Sequence, residues 1–350
     1  MRTQATSCFH TIVGPWIGCL YPLVPKQCSN NIFGRIGNKL IFPNGPATAL
    51  LCGVERDPNN PKKCQMKSNK YVIAETNEIY SGDKYDDIIP YSFKCPISGV
   101  RMVEGAYNPM NDAENSAYIT LKMFKEWNLV DPWDETLKLN VHTNENTRLD
   151  GRWWEDGRIS LGKMSGYYHV ASSLGIVAHE MAHAYTQKNS DLNYDYGSES
   201  GGLNEAFSDM AAVGAGFHAT NDCRKTGCNN WVIGGDVNFE GPEKGLRYMN
   251  DPPKDGVSID HTDDFDNMFD KDVHYTSGVF NKAFYELATG PGWNVKKAFK
   301  VMAKANEEAW CSHTDWKEAA YGVLDAAKDL GYPLYAVVSA FSAVGIHLTL

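Results

Sequence analysis

Two histidines four residues apart, with a glutamate directly after the first, carry the clearest chemistry in this chain: His179-Glu180-Met181-Ala182-His183. On a helix that spacing stacks His179 and His183 on one face. Two imidazoles so placed can take adjacent corners of a zinc tetrahedron. Glu180 would stand beside the metal, placed to take a proton from water there. The pentapeptide alone also occurs in ordinary buried helices, so the residues beyond it decide. Glu205, in Gly201-Gly202-Leu203-Asn204-Glu205-Ala206-Phe207-Ser208-Asp209-Met210, offers a carboxylate as third ligand. Three protein ligands leave a fourth position open, which is the pattern of a catalytic zinc site. Asp209 lies four residues on, so on a helix it faces the same way and could accept the free N–H of a ligand histidine.

The elements that must position these groups follow from periodicity and turn signals. The apolar run Leu174–Ala178 leads into the histidines, which predicts a buried helix over 174–188. Further helices are predicted at 113–127, 203–217, 277–289, 295–310, 315–329 and 334–344, punctuated by Gly290-Pro291-Gly292 and Gly331-Tyr332-Pro333. Before residue 100 the pattern is short strands and turns, in KLIFPNG, ATALLCGVE and KYVIAET. Another strand is predicted at Leu137–His142. The expectation is an α+β fold with a β-rich N-terminal part and a mainly helical C-terminal part, and 350 residues suffice for two lobes.

Composition narrows the function classes. The chain is 43% hydrophobic and 22% charged, with a net charge of −10, which argues against a nucleic-acid partner. No apolar stretch reaches the length of a membrane span. Nine cysteines suggest an oxidising, extracellular compartment. Residues 8–25 loosely resemble a signal-peptide core, but Pro15 and Pro22 interrupt it. Cys223 and Cys228 read as a local disulfide.

HEMAH followed by NEAFSD resembles the thermolysin-type neutral metalloproteases, and among them the elastase-like secreted branch of pseudolysin and vibriolysin. A metzincin reading fails, because Thr186 stands where that motif needs Gly and Asn189 where it needs His. The resemblance runs over roughly 36–350. It implies a two-lobe zincin: residues 1–35 as an extension of unknown role, 36–188 as a β-rich lobe including the zinc helix, and 189–350 as a helical lobe. It also implies a long pro-segment, for which residues 1–35 leave no room. Within DVHYTSGVFNKAFY, it makes His274 a donor to the oxyanion of the tetrahedral intermediate, oriented and kept protonated by Asp272. Within GLRYM, it makes Arg247 a contact to the substrate carbonyl and to Glu205. A tyrosine should assist His274. Counting forward from His183 selects Tyr194 and counting back from Glu205 selects Tyr196; the unbroken match of GSESGGLNE favours Tyr196. Ile176, Val237 and Leu246 match walls of the S1′ pocket, so cleavage should fall before bulky apolar residues. Cys64 and Cys95 match a disulfide pair. Cys311 matches half of a bridge whose other half is absent, and is expected to be a free, buried thiol.

Two departures stand out. Trp154 keeps its place in the edge-strand segment expected to pair with substrate, but Gly151 replaces the asparagine that normally bonds it, and Arg152 follows. At the main calcium site, relatives carry carboxylates where this chain has Gly175, Val213, Gly216 and Asn230. Tight calcium is therefore not expected there. The resulting expectation is a monomeric, secreted zinc endopeptidase acting on proteins or peptides. Two alternatives are a catalytically weak relative that binds peptides or partners, and a zinc aminopeptidase, which would need an acidic anchor that is not recognisable here.

Overall fold

The computed structural model describes residues 55–68, 70–76, 89–94, 109–130, 133, 136–144, 150–163, 171–220, 231–238, 240–241, 243–268 and 271–350. The extension 1–35, the strands expected over 39–54, and Cys8, Cys19, Cys28, Cys52, Cys95, Cys223 and Cys228 lie outside the described residues.

The N-terminal part holds two sheets. In the first, β1 (Glu55–Asp57), β2 (Asn60–Gln65) and β4 (Ser92–Lys94) pair antiparallel in the order β1-β2-β4. The second has the order β3 (Tyr71–Thr76), β5 (Leu137–His142), β7 (Arg158–Leu161), β6 (Arg152–Trp154). Here β3, β5 and β7 run parallel, and β6 turns back antiparallel with Trp153 opposite Ile159. The parallel strands need crossovers, and α1 (Pro109–Glu126) lies within the one between β3 and β5. Placed last in the sheet, β6 has one unpaired edge among the described residues.

The helix α2 (Leu174–Lys188) has the predicted bounds. Ser173 caps it by accepting from the Ile176 amide, and from Leu174 to Thr186 every residue but Gly175 is buried. A helix buried on all sides belongs at the centre of a fold. It packs on α3 (Glu199–Thr220) and α1. The predicted helix 203–217 begins four residues earlier, at Glu199. The Ser198 hydroxyl accepts from the Gly201 amide there, and the weak helix formers Gly201 and Gly202 are retained for packing. A Cβ at Gly202 would meet the Thr276 hydroxyl oxygen at 2.5 Å, and one at Gly201 would meet Val273 Cγ1 at 2.4 Å. Those two glycines let the short helix α4 (Val273–Thr276) lie against α3.

The remaining helices are α5 (Gly278–Thr289), α6 (Val295–Glu308), α7 (Trp316–Asp329) and α8 (Leu334–Ser342). One aromatic chain joins the two halves: Phe124 on α1 lies 5.1 Å from Tyr185 on α2, Tyr185 5.4 Å from Phe207 on α3, and Phe207 5.4 Å from Phe299 on α6. The two-stranded sheet of β8 (Val232–Ile233) and β9 (Arg247–Tyr248) carries Arg247 to the site. Among the described residues no helix is long and apolar enough to cross a membrane.

Candidate metal centre

His179 and His183 project from one face of α2 with their Nε2 atoms 3.2 Å apart. From α3, Glu205 brings Oε2 to 3.4 Å of His179 Nε2 and Oε1 to 3.4 Å of His183 Nε2. A tetrahedral ion with bonds of about 2.0–2.1 Å needs donor atoms about 3.3–3.4 Å apart. Each imidazole thus has a Glu205 oxygen at about that spacing, and one donor atom from each of the three residues lies within 4.8 Å of the others. Glu205 Oε2 is buried without a hydrogen-bond partner, a lone pair that a cation would satisfy. Two imidazoles and one carboxylate are also the donor set of a catalytic zinc, so the residues present fit that metal.

The outer ring nitrogens are tied off. Asp209 Oδ1 lies 2.9 Å from His179 Nδ1, and Asn204 Oδ1 lies 2.8 Å from His183 Nδ1. Each bond fixes a ring so that Nε2 points inward. Asp209 also takes both arms of Arg247, at 2.8 Å from Nε and 2.7 Å from Nη2, and the Asn281 amide at 2.8 Å. Arg247 therefore forks onto Asp209 and only approaches Glu205 Oε2, at 3.6 Å. Asn204 and Asn281 were not singled out from the sequence. Asn204 directly precedes Glu205 and Asn281 lies in the block around His274, so proximity to those motifs was the available signal.

Burial and charge oppose each other throughout. Burial disfavours the His179 cation, but the Glu205 and Asp209 carboxylates outweigh it and push its pKa up to about 10. Protons and metal thus compete for the same nitrogen. Burial alone would raise Glu205, yet the imidazoles of His274 and His179 hold it well below the usual carboxylate range. Asp209 is held low against its burial by the Arg247 guanidinium. Burial raises Glu180, the direction that suits a general base. Tyr194 is raised by burial and by the adjacent Glu205, so its hydroxyl keeps its proton.

On the far side of Glu205 stand His274 and Tyr194. Asp272 caps α4 and accepts at one oxygen from the His274 amide, at 2.9 Å, and from its ring Nδ1, at 2.6 Å. His274 Nε2 then lies 3.6 Å from Glu205 Oε1 and 3.3 Å from the Tyr194 hydroxyl, which donates to Glu205 Oε1 at 2.5 Å. The residue at this position is Tyr194, not the favoured Tyr196, which is 66% exposed on the rim of the same cleft. The loop is held from its beginning: the Asp191 amide bonds Thr186 O, the Leu192 carbonyl accepts from Asn204 Nδ2, and the Asn193 amide bonds Ser312 O. This placement of Tyr194 agrees with counting forward from His183.

The cleft around these groups measures about 1250 Å³, with Gly151, Trp154, Glu180 and Tyr194 among its lining residues. Ile176 and Val237 are buried together with Ala171, and Leu246 packs on them. At the expected calcium positions, the Gly175 amide bonds Asp236 Oδ2 at 3.2 Å, Val213 is buried, and Asn230 lies outside the described residues. Cys64 is disulfide-bonded. Cys311 is free as expected, but exposed rather than buried, because it opens the turn between α6 and α7.

Comparison with known proteins gives the same picture. The family model for the catalytic domain of thermolysin metallopeptidase matches residues 56–187, and that for its alpha-helical domain matches 190–346. The chain is 35% identical over 289 residues to a neutral protease of Vibrio proteolyticus, covering 81% of this chain and 44% of that protein. It is 36% identical over 306 residues to the zinc metalloproteinase MspA of Legionella longbeachae, covering 83% of this chain and 55% of that protein. The chain thus spans about half the length of the curated relatives it matches. The fold of the protealysin precursor from Serratia proteamaculans superposes with a TM-score of 0.62 at 21% identity, over 79% of this chain and 87% of that one. Two adjoining domain models, meeting directly after the helix that carries both histidines, make this chain a member of the thermolysin metallopeptidase family.

Proposed function

We propose that the protein is a secreted zinc endopeptidase that cleaves polypeptides before bulky apolar residues. The observation that carries this reading is the convergence of His179, His183 and Glu205, with donor atoms within 4.8 Å of one another, in a cleft also lined by Glu180, His274 and Tyr194. Zinc held by the three ligands would supply Lewis acidity, polarising the scissile carbonyl and making water a better nucleophile. Glu180 takes the proton from the attacking water and passes it to the leaving amine. His274, oriented by Asp272, and Tyr194 donate to the carbonyl oxygen as it gains charge. Arg247 acts first on Asp209, and through it on His179. Ile176, Val237 and Leu246 form the apolar wall for the residue after the scissile bond. Trp154 ends the edge strand β6, along which the substrate residues before the scissile bond lie. Gly175, Val213 and Gly216 offer no side-chain carboxylate, so no tight calcium is proposed at the family's main site.

The test is hydrolysis of an internally quenched peptide with Leu or Phe after the scissile bond. Wild type should turn it over, while chelated enzyme and Glu180→Gln should not. A digest of unfolded protein without enrichment of apolar residues after the cut would overturn the specificity. A second reading rests on Arg152, whose guanidinium stacks 4.1 Å over Trp154 on the cleft wall: a peptide-binding module. Zinc-loaded, folded protein without turnover would favour it.

A further inference from the structure

Gly151 stands where the resembling segment of relatives carries asparagine, and its surroundings give that difference a meaning. Its φ does not fall in the left-handed region that favours glycine, so the backbone there accepts any residue and the demand is for space. A Cβ built at Gly151 would meet Glu180 Oε1 at 2.6 Å and Ile176 Cγ2 at 2.7 Å. Real Cβ contacts do not come that close, so something must move. Ile176 is β-branched, sits in the first turn of a buried helix and is 5% exposed; its side chain is stiff. The Glu180 carboxylate is the free end of a flexible side chain and gives way first. The Trp153 indole donates to Gln187 on α2 at 2.8 Å, which fixes the strand against the helix. The carboxylate is thus seated in the volume of a missing side chain, between Gly151 and the wall made by Ile176.

We infer that Gly151 is a positioning residue for Glu180: its lack of a side chain leaves the space in which the carboxylate stands beside the metal ligands. In this chain the asparagine of relatives cannot be restored without displacing Glu180. The inference rests on the proposed peptidase reading. It predicts that Gly151→Ala loses about a hundredfold in kcat, the order expected when a reacting group is misplaced by about 1 Å, with KM and zinc content close to wild type. Gly151→Asn behaves the same way or worse, although it restores the polar group.

The experiment measures kcat and KM for wild type, Gly151→Ala, Gly151→Asn, Glu180→Asp, Ile176→Ala and the doubles of Gly151→Ala with the last two. Zinc content and crystal structures of wild type and Gly151→Ala accompany the kinetics. Asp at 180 is one methylene shorter and clears the added Cβ. The effects of Gly151→Ala and Glu180→Asp should therefore be strongly non-additive, and the Glu180 carboxylate should be displaced away from residue 151 in the Gly151→Ala crystal. Full activity in Gly151→Ala, or additivity with Glu180→Asp, overturns the inference. So does recovery of Gly151→Ala by Ile176→Ala, which would place the conflict in the pocket wall. A wild type without turnover overturns the functional reading instead, and this inference with it.

Discussion

Asp209 accepts hydrogen bonds from His179, Arg247 and Asn281 while fully buried, so its charge is matched and the His179 ring has one orientation. Replacing it with Asn removes the charge and leaves the geometry nearly intact. Asp209→Asn should weaken zinc binding by about 10–100-fold, read by competition against a fluorescent chelator. Tyr194 makes a different kind of prediction. Its hydroxyl stands 3.3 Å from His274 Nε2, whereas Tyr196 is 66% exposed. Tyr194→Phe should lower kcat by about a hundredfold, the usual cost of one oxyanion donor, with zinc content unchanged. Tyr196→Phe should stay near wild type in kcat. The two variants measured together decide which register of the loop is right.

The two ligand helices bind metal only because they are locked together away from it. Between α2 and α3 the contact runs through Tyr185 and Phe207, stacked at 22° between ring planes, and Phe299 of α6 also stacks on Phe207. Phe207 is fully buried and lies two residues from both Glu205 and Asp209. Phe207→Ala should cost about 3–5 kcal/mol, measured by denaturant unfolding of the metal-free protein. Because the cavity would open between the ligand helices, zinc affinity should fall with it. A loss of stability without any loss of affinity would mean that the helices are held at the site by their polar contacts alone. At the other end of the ligand group, α4 reaches Glu205 only because Gly201 and Gly202 leave room for Val273 and Thr276.

At the level of the whole molecule, a zinc ion held by His179 and His183 of α2 and Glu205 of α3 would tie the two helices together, so binding and folding would be linked. A ligand that binds only the folded state adds about 4 kcal/mol at a thousandfold excess over its Kd. Chelation should lower the melting temperature by several degrees, and zinc should restore it. An unchanged melting temperature on full removal of zinc would show that the two helices do not depend on the ion for their arrangement. The sequence by itself determined a good deal here. The bounds of α2, its two ligands, Glu205 and Asp209 were legible because a four-residue helical period is local and repeats. The strand Leu137–His142 was legible from the alternation of Leu137, Leu139 and Val141 with polar residues. Loops have no period, and the Tyr194 loop takes its register from Asn204 and from Ser312, more than a hundred residues away. The fork of Arg247 onto Asp209 and the clash that Gly151 avoids join segments that are equally silent about each other in the chain. Those distances exist only once β6, α2, α3 and β9 are packed, and packing is where the tertiary structure decided what the residue types alone left open.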